Sequence, residues 1–474
     1  MLRLEARLLE FPPGFKFGAA TAAYQIEGAW NASDKAVSIW DELIHKHRDR
    51  VVDGSDGDVA CDSYHQWKRD VEMAAELGLD TYRFSLSWTR LLPIGFAHVV
   101  SEDGKAYYSK LIDALLAKGI EPVVTLYHFD LPQKFQDLGG WANPLVANWF
   151  AAYARVAFSL YADRVKTWIT VNEPIAVCDS SYNGYMAPDI KDEDVGMYLC
   201  NKNILMAHAK AWRIYDEEFR PKYKGQISFI NHLVWFEPAG KAEEEVTALA
   251  MEYIASRYCH PIFSEEGGWP PALETYLFTK SIKEGYKRSR LPAFTSEEIE
   301  LIRGTYDFYA LNHYTSKVVR FARSGEKVGG WPLDGSAELG IVLEARPNWK
   351  PTSCWWIKQH PEGFRNVLVW LKEQYGDQKF LVTEIGYPSK GSNLDDTERV
   401  QYFQDYLTQM LLAIQIDKVN VIGFSAWSLM DNFEWMDGYS TKARALPDFQ
   451  LRSTLTSSKS ALFFLKIALL TSLG

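Results

Sequence analysis

Short apolar runs rich in β-branched and aromatic residues recur along the chain at 16–20, 81–87, 122–127, 167–171, 226–230, 307–311, 380–383 and 420–427. Each is nearly continuous in hydrophobicity, the pattern of a strand covered on both faces. Between them lie longer stretches of helical spacing or composition, at 70–79, 107–118, 145–161, 203–219, 243–256, 361–375 and 395–416. Strand and helix therefore alternate. Eight such strands separated by helices predict an α/β fold, a single (β/α)8 TIM barrel with long loops at its C-terminal face. The surplus length falls at 231–306 and 316–359, where Gly, Pro and charge are frequent, and these segments are expected as loops around the mouth. The barrel is expected over 11–470, after an N-terminal extension at 1–10, with the apolar stretch 461–470 packing as a terminal helix.

Composition narrows the function. With 474 residues, 47% of them hydrophobic, the chain is neither disordered nor fibrous. A net charge of -10 without a long Lys/Arg cluster argues against nucleic acid as a partner. Aromatics reach 14%, with 17 Trp, and indole faces stack well on sugar rings. Five scattered cysteines (Cys61, Cys178, Cys200, Cys259, Cys354), an odd count without a CxxC pair, predict neither a disulfide framework nor a zinc ribbon. Charges interrupt the leucines of the first ten residues, so no signal-peptide core is visible and a cytoplasmic location is expected, or a secreted one if the N-terminus is incomplete. The sequon Asn31-Ala32-Ser33 matters only on the secretory route. Lys466 breaks the 461–470 stretch, which is too short for ~30 Å of bilayer, and no membrane span is expected.

A barrel of this kind keeps its chemistry where its strands end. The first run leads into Gln25 and Glu27, the second carries Arg83, the third ends in His128 and Asp130, and the fourth in Asn172 and Glu173. The fifth ends less distinctively in Asn231 and His232. The sixth ends in Asn312 and Tyr314, the seventh in Glu384, and the eighth in Trp427, followed by Asp431, Glu434 and Trp435. Two carboxylates facing each other across such a mouth can cleave a glycosidic bond, one protonating the leaving oxygen while the other attacks or stabilises the anomeric carbon. Glu173 and Glu384 are the natural pair, since strands four and seven lie opposite. Arg83 would keep Glu384 ionised and Tyr314 would donate to it, while Asn172 and His128 hold hydroxyls over a floor of Trp427 and Trp435. Metal catalysis fits less well, because His128 is the only strand-end imidazole with a carboxylate close by, at Asp130, and HExxH does not occur. No Gly-rich phosphate turn is complete, and no cofactor is expected.

The motifs carry a resemblance. The stretch Phe15-Lys16-Phe17-Gly18-Ala19-Ala20-Thr21-Ala22-Ala23-Tyr24-Gln25-Ile26-Glu27-Gly28 resembles the N-terminal signature of glycoside hydrolase family 1, the β-glucosidase family. Tyr82-Arg83-Phe84-Ser85, Tyr127-His128-Phe129-Asp130-Leu131-Pro132, Thr170-Val171-Asn172-Glu173-Pro174, Asn312-His313-Tyr314-Thr315, Val382-Thr383-Glu384 and the segment from Ala426 to Trp435 match it further, in family order. The style is that of animal members: insect, lactase-like and cytosolic β-glucosidases and klotho-type proteins.

The resemblance implies a retaining β-glycosidase acting on a small β-glycoside, with Glu173 as acid/base and Glu384 as nucleophile. It implies a glycone subsite of Gln25, His128, Asn172, Asn312, Trp427, Glu434 and Trp435, and an aglycone contact at Trp356. Tyr24 and Tyr127 are expected to pack in the core. At rest Glu173 is expected to be kept protonated by the charge of Glu384 and by burial. The sequence departs from the family pattern in Ile385, where Asn usually follows the nucleophile, in Phe129, where Trp is commoner, and in 443–450, where a Phe-Gly-Leu segment with a glycone-capping aromatic is missing. Two other readings follow from the same resemblance. One is a klotho-like binding protein, which both carboxylates disfavour. The other is a thioglucosidase: plant thioglucosidases carry Gln at the acid/base position, so Glu173 favours O-glycosides, although animal thioglucosidases can retain it.

Overall fold

The computed structural model describes residues 10–389 and 396–443. The 443–450 departure beyond its first residue, the expected terminal helix at 461–470 and nearly all of the N-terminal extension lie outside the described residues. Within them, eight parallel strands close a barrel: β1 (Lys16–Ala20), β2 (Thr81–Ser85), β3 (Glu121–Tyr127), β4 (Thr167–Asn172), β5 (Gln226–Pro238), β6 (Tyr309–Phe321), β7 (Phe380–Ile385) and β8 (Val421–Trp427). Neighbours pair in order, and the circle closes where β7 pairs with both β6 and β8 and β8 pairs with β1. Helices cover the outside: α1 (Ser63–Glu76), α2 (Glu102–Ala117), α3 (Val146–Tyr161), α4 (Gly196–Ile214), α5 (Glu244–Met251), α6 (Pro361–Tyr375) and α7 (Thr397–Gln415).

Local chemistry sets the helices. In α3 the buried Val146, Phe150, Tyr153, Ala154, Ala157, Phe158 and Tyr161 recur at three- and four-residue spacing and form one apolar stripe. At the start of α2 the Ser101 side chain accepts from the Gly104 N–H, and Glu102 and Asp103 face the positive end of the helix dipole.

Inside the barrel, Val123, Ile169, Ile230, Phe308 and Ala310 form an apolar cluster of their own, apart from the main core between strands and helices. Two residues further along β3 and β6 stand Thr125 and Asn312, because side chains of one face recur with a period of two. The barrel is thus plugged below by hydrocarbon and polar above. On β4 the register against β5 shifts between Ile169 and Asn172, and on β7 the register against β6 shifts between Val382 and Glu384. Such irregularities re-aim a side chain, and both occur just before a carboxylate.

Two expectations change. The segments expected as loops after the fifth and sixth runs begin as strand. β5 and β6 each run 13 residues and stay paired beyond the barrel, from His232 against Asn312 to Pro238 against Val319, and Ile341–Glu344 adds antiparallel to β6. Between β5 and β6 the chain is also helical, at α5, Arg257–Phe263, Pro271–Lys283 and Ser296–Ile302. The cysteines are not all free: Cys178 and Cys200 form a disulfide, joining the segment after Glu173 to α4. Their separation of 22 residues matches no short motif, so only the fold brings them together.

Candidate active site

Above the apolar plug, Arg83 organises the barrel mouth. From β2 its guanidinium donates through Nη1 to Glu384 Oε1 (2.5 Å), through Nη2 to Asn172 Oδ1 (2.8 Å) and through Nε to Thr125 Oγ1 (3.0 Å). Buried and held by partners on three strands, it cannot swing away. Tyr314 donates its hydroxyl to the second oxygen of Glu384 at 2.7 Å. Across the mouth, Asn312 donates through Nδ2 to Glu173 Oε1 (2.7 Å), and His232 Nδ1 lies 3.2 Å from the same oxygen. Thr383 fixes Asn312 in turn by donating to its Oδ1 at 2.6 Å. Each carboxylate is therefore oriented by two side chains.

The backbone is bent to suit. Glu173, Phe129 and Trp435 have φ of 40°, 78° and 52°, a left-handed region that costs a residue with a side chain roughly 1–3 kcal/mol and persists only where the surroundings impose it. Past β7 the backbone turns at Gly386, where an added Cβ would stand 2.6 Å from the Trp427 carbonyl oxygen, so only glycine lets this turn press against the end of β8.

Electrostatics separate the two acids. Burial pushes Glu384 up to about 7; Arg83 opposes this, the charge of Glu173 adds to it, and the Tyr314 hydroxyl opposes it. Burial would also raise Glu173, but the charge and hydrogen bond of His232, the Asn312 amide and the charge of Arg83 carry it below its ordinary value. This corrects the expectation that Glu384 keeps Glu173 protonated at rest: the groups around Glu173 favour its ionised form, and it is the charge of Glu173 that helps to raise Glu384. His128 is driven well below its usual range by burial and then by Arg83, so the ring is neutral. It accepts from Asn172 Nδ2 at Nε2 (3.2 Å), which leaves the proton on Nδ1, and Nδ1 has no protein partner. Burial, followed by the charge of Asp431, raises Glu434 well above the carboxylate range.

The remaining predicted residues fall around this centre. His128 stacks on Trp427 and Trp435, with centroids 5.7 and 6.0 Å away, and Trp435 rests on Trp40 and Tyr24. Gln25 donates to Asn432 Oδ1 and the Phe433 carbonyl, both at 2.8 Å, just ahead of Glu434. His128, Asn172, Glu173, Tyr314, Trp356, Glu384, Trp427, Glu434 and Trp435 line one cavity of about 170 Å³. Arg83, Asn312 and Gln25 stand behind that lining. Tyr24 and Tyr127 are buried in the core as expected. The outer wall includes Ile175, Met186, Leu333, Trp356 and Met436 and is mainly apolar. Sequence reasoning noted His232 at the end of the fifth run but gave it no role. It passed over Thr125 and Thr383, which touch only other protein groups. Among the described residues no three His, Cys, Asp or Glu side chains are grouped as a metal would need.

A barrel with paired carboxylates over an aromatic floor defines a class of enzyme, the glycoside hydrolases. Comparison with known proteins agrees. The profile of glycosyl hydrolase family 1 matches residues 8–463, and the chain belongs to that family. It is 43% identical to Myrosinase 1 of Brevicoryne brassicae over 91% of this chain and 92% of that one. It is 41% identical to the cytosolic beta-glucosidase of Homo sapiens over 92% of each. Among solved structures, an aphid myrosinase superposes with a TM-score of 0.91 at 42% identity, covering 97% of this chain and 99% of that one. The rice Os3BGlu6 beta-glucosidase does so with 0.87 at 34%, covering 96% and 98%. The protein is a glycoside hydrolase of the β-glycosidase type.

Proposed function

We propose that the protein hydrolyses O-linked β-D-glucosides with retention of configuration, accepting fucosides and galactosides as well, through a double displacement. The observation that carries this reading is the asymmetric support of the two acids: Arg83 and Tyr314 hold Glu384, and Asn312 and His232 hold Glu173. A permanently charged guanidinium on Glu384 suits a carboxylate that attacks the anomeric carbon, while Glu173, held by an amide and an imidazole, protonates the departing oxygen and then takes the proton of the incoming water. His128, Asn172 and Glu434 offer polar atoms to the glycone, whose apolar face would rest on Trp427 and Trp435, while Gln25 braces the segment ahead of Glu434. Trp356 and the apolar outer wall suit an uncharged, hydrophobic aglycone.

Leaving-group chemistry tests the assignment. Glu384→Gly should abolish turnover of every substrate. Glu173→Ala should still form the glycosyl-enzyme from a dinitrophenyl glucoside, whose leaving group needs no proton, and azide should carry that intermediate to the β-glucosyl azide. Equal loss of bond cleavage in both variants on this substrate would reject the roles. A second reading, hydrolysis of thioglucosides, is favoured by the likeness to the aphid myrosinase. A thiolate departs without a proton, so a retained and supported Glu173 favours the O-glycoside. Assay of an aryl S-glucoside beside its O-glucoside separates the two.

A further inference from the structure

His232 has no part in the scheme above beyond holding Glu173, yet its surroundings are unusual. It sits on β5 opposite Asn312 of β6, buried, with Nδ1 3.2 Å from Glu173 Oε1. Its ring stacks on Tyr314 at 5.9 Å, with 19° between planes, and lies 6.2 Å from Trp356. Nε2 is buried and has no protein partner, and the ring lines the cavity that holds both carboxylates. The titratable and charged groups around it are Glu173 at the end of β4, His313 and Tyr314 on β6, Glu384 on β7 behind Tyr314, and Arg83 on β2 beyond Glu173. Burial leaves the His313 ring neutral, and its Nδ1 is engaged by the Leu233 carbonyl. Glu173 is thus the one group among these that can exchange a proton with His232 directly.

We propose that His232 and Glu173 hold the acid proton jointly, with His232 as the positioning residue of the acid/base. A charged imidazole beside a carboxylate and a neutral imidazole beside a carboxylic acid contain the same atoms and the same charge, and one hydrogen bond interconverts them. As the glycosidic bond breaks, its electron pair goes to the leaving oxygen, which takes the shared proton from Glu173, and Glu384 bonds to the anomeric carbon. In the second half an incoming water bonds to that carbon, the ester to Glu384 breaks, and the proton of the water returns to the pair. The geometry suits such a pair: His232 Nδ1 stands 3.2 Å from Glu173 Oε1, so the proton passes between them without either side chain moving away.

The inference rests on the acid/base reading of Glu173, and the test separates the two. His232→Gln and His232→Asn retain a polar side chain but cannot take up a proton. Both should lose kcat/KM on an unsubstituted phenyl glucoside at least about ten times more than on the dinitrophenyl glucoside, a fraction of the 10²–10⁴ a general acid contributes. Two sites bind a proton more firmly than one, so the alkaline limb of kcat/KM on the phenyl substrate should move to lower pH in the variants while the acid limb stays. The ratio is internal to each preparation, and a loss of folded enzyme lowers both rates alike. Equal losses on both substrates, or an unmoved alkaline limb, would overturn the proposal. If Glu173→Ala itself fails to discriminate between leaving groups, the acid/base reading falls instead. If it discriminates and the His232 variants do not, only the shared proton falls.

Discussion

At the scale of single residues, the site is built on Arg83, which ties Glu384, Asn172 and Thr125 together from beneath. Removing one partner from a buried ion pair leaves the other charge uncompensated, so Arg83 secures the geometry as well as the charge of Glu384. Tyr314 adds a separable contribution. Glu384 must be ionised to attack, and burial sets its carboxyl at about 7, so activity should climb as the pH rises through that value. The Tyr314 hydroxyl favours the ionised form. Tyr314→Phe should therefore move the acid limb of kcat/KM to higher pH and lower its plateau roughly 10- to 100-fold, the worth of a hydrogen bond to a charged group. A variant with the acid limb of the parent would show that the hydroxyl does not act on Glu384. These residues were legible in the sequence because carboxylate, amide and guanidinium groups close or line strands that are otherwise apolar. The place of His232 at a strand end was legible but its role was not, because that role depends on Glu173, a residue of another strand.

At the scale of elements, the strand pattern survived folding where both faces of a strand are covered, and it failed where the chain leaves the barrel. Beyond Ile230, β5 continues because its neighbour β6 continues with it, a pairing that no feature of either segment announces alone. Helix composition was equally uninformative about the π-helical turn Ala176–Ser180, which follows Glu173 and supplies Ala176 and Ser180 to the cavity wall. Cys178 lies in that turn, and its disulfide to Cys200 anchors this wall to α4. Closing a loop of this size restrains the unfolded chain by about 3 kcal/mol. The double variant Cys178→Ser, Cys200→Ser should lose about that much stability, read as a lowered urea midpoint, with a slope no shallower than the parent's because the unfolded chain is freed. Equal midpoints for the oxidised parent and the double variant would show that the crosslink does not support the fold.

At the scale of the whole molecule, the eight-unit alternation was enough to predict closure, since eight buried parallel strands have few other ways to satisfy both faces. Closure also places the chemistry: strands distant in sequence bring Glu173 and Glu384 to one cavity although 211 positions, 384 minus 173, separate them. The central claim is that Glu384 becomes covalently bonded to the sugar. In an activated 2-deoxy-2-fluoro-β-glucoside the fluorine slows both displacements while the dinitrophenolate leaving group speeds the first, so the intermediate accumulates. Peptide mapping by mass spectrometry after such treatment should find one fluoroglucosyl ester, on Glu384, appearing in step with loss of activity. An ester on another residue, or undiminished turnover of an unlabelled enzyme to the α-anomer, would contradict the account.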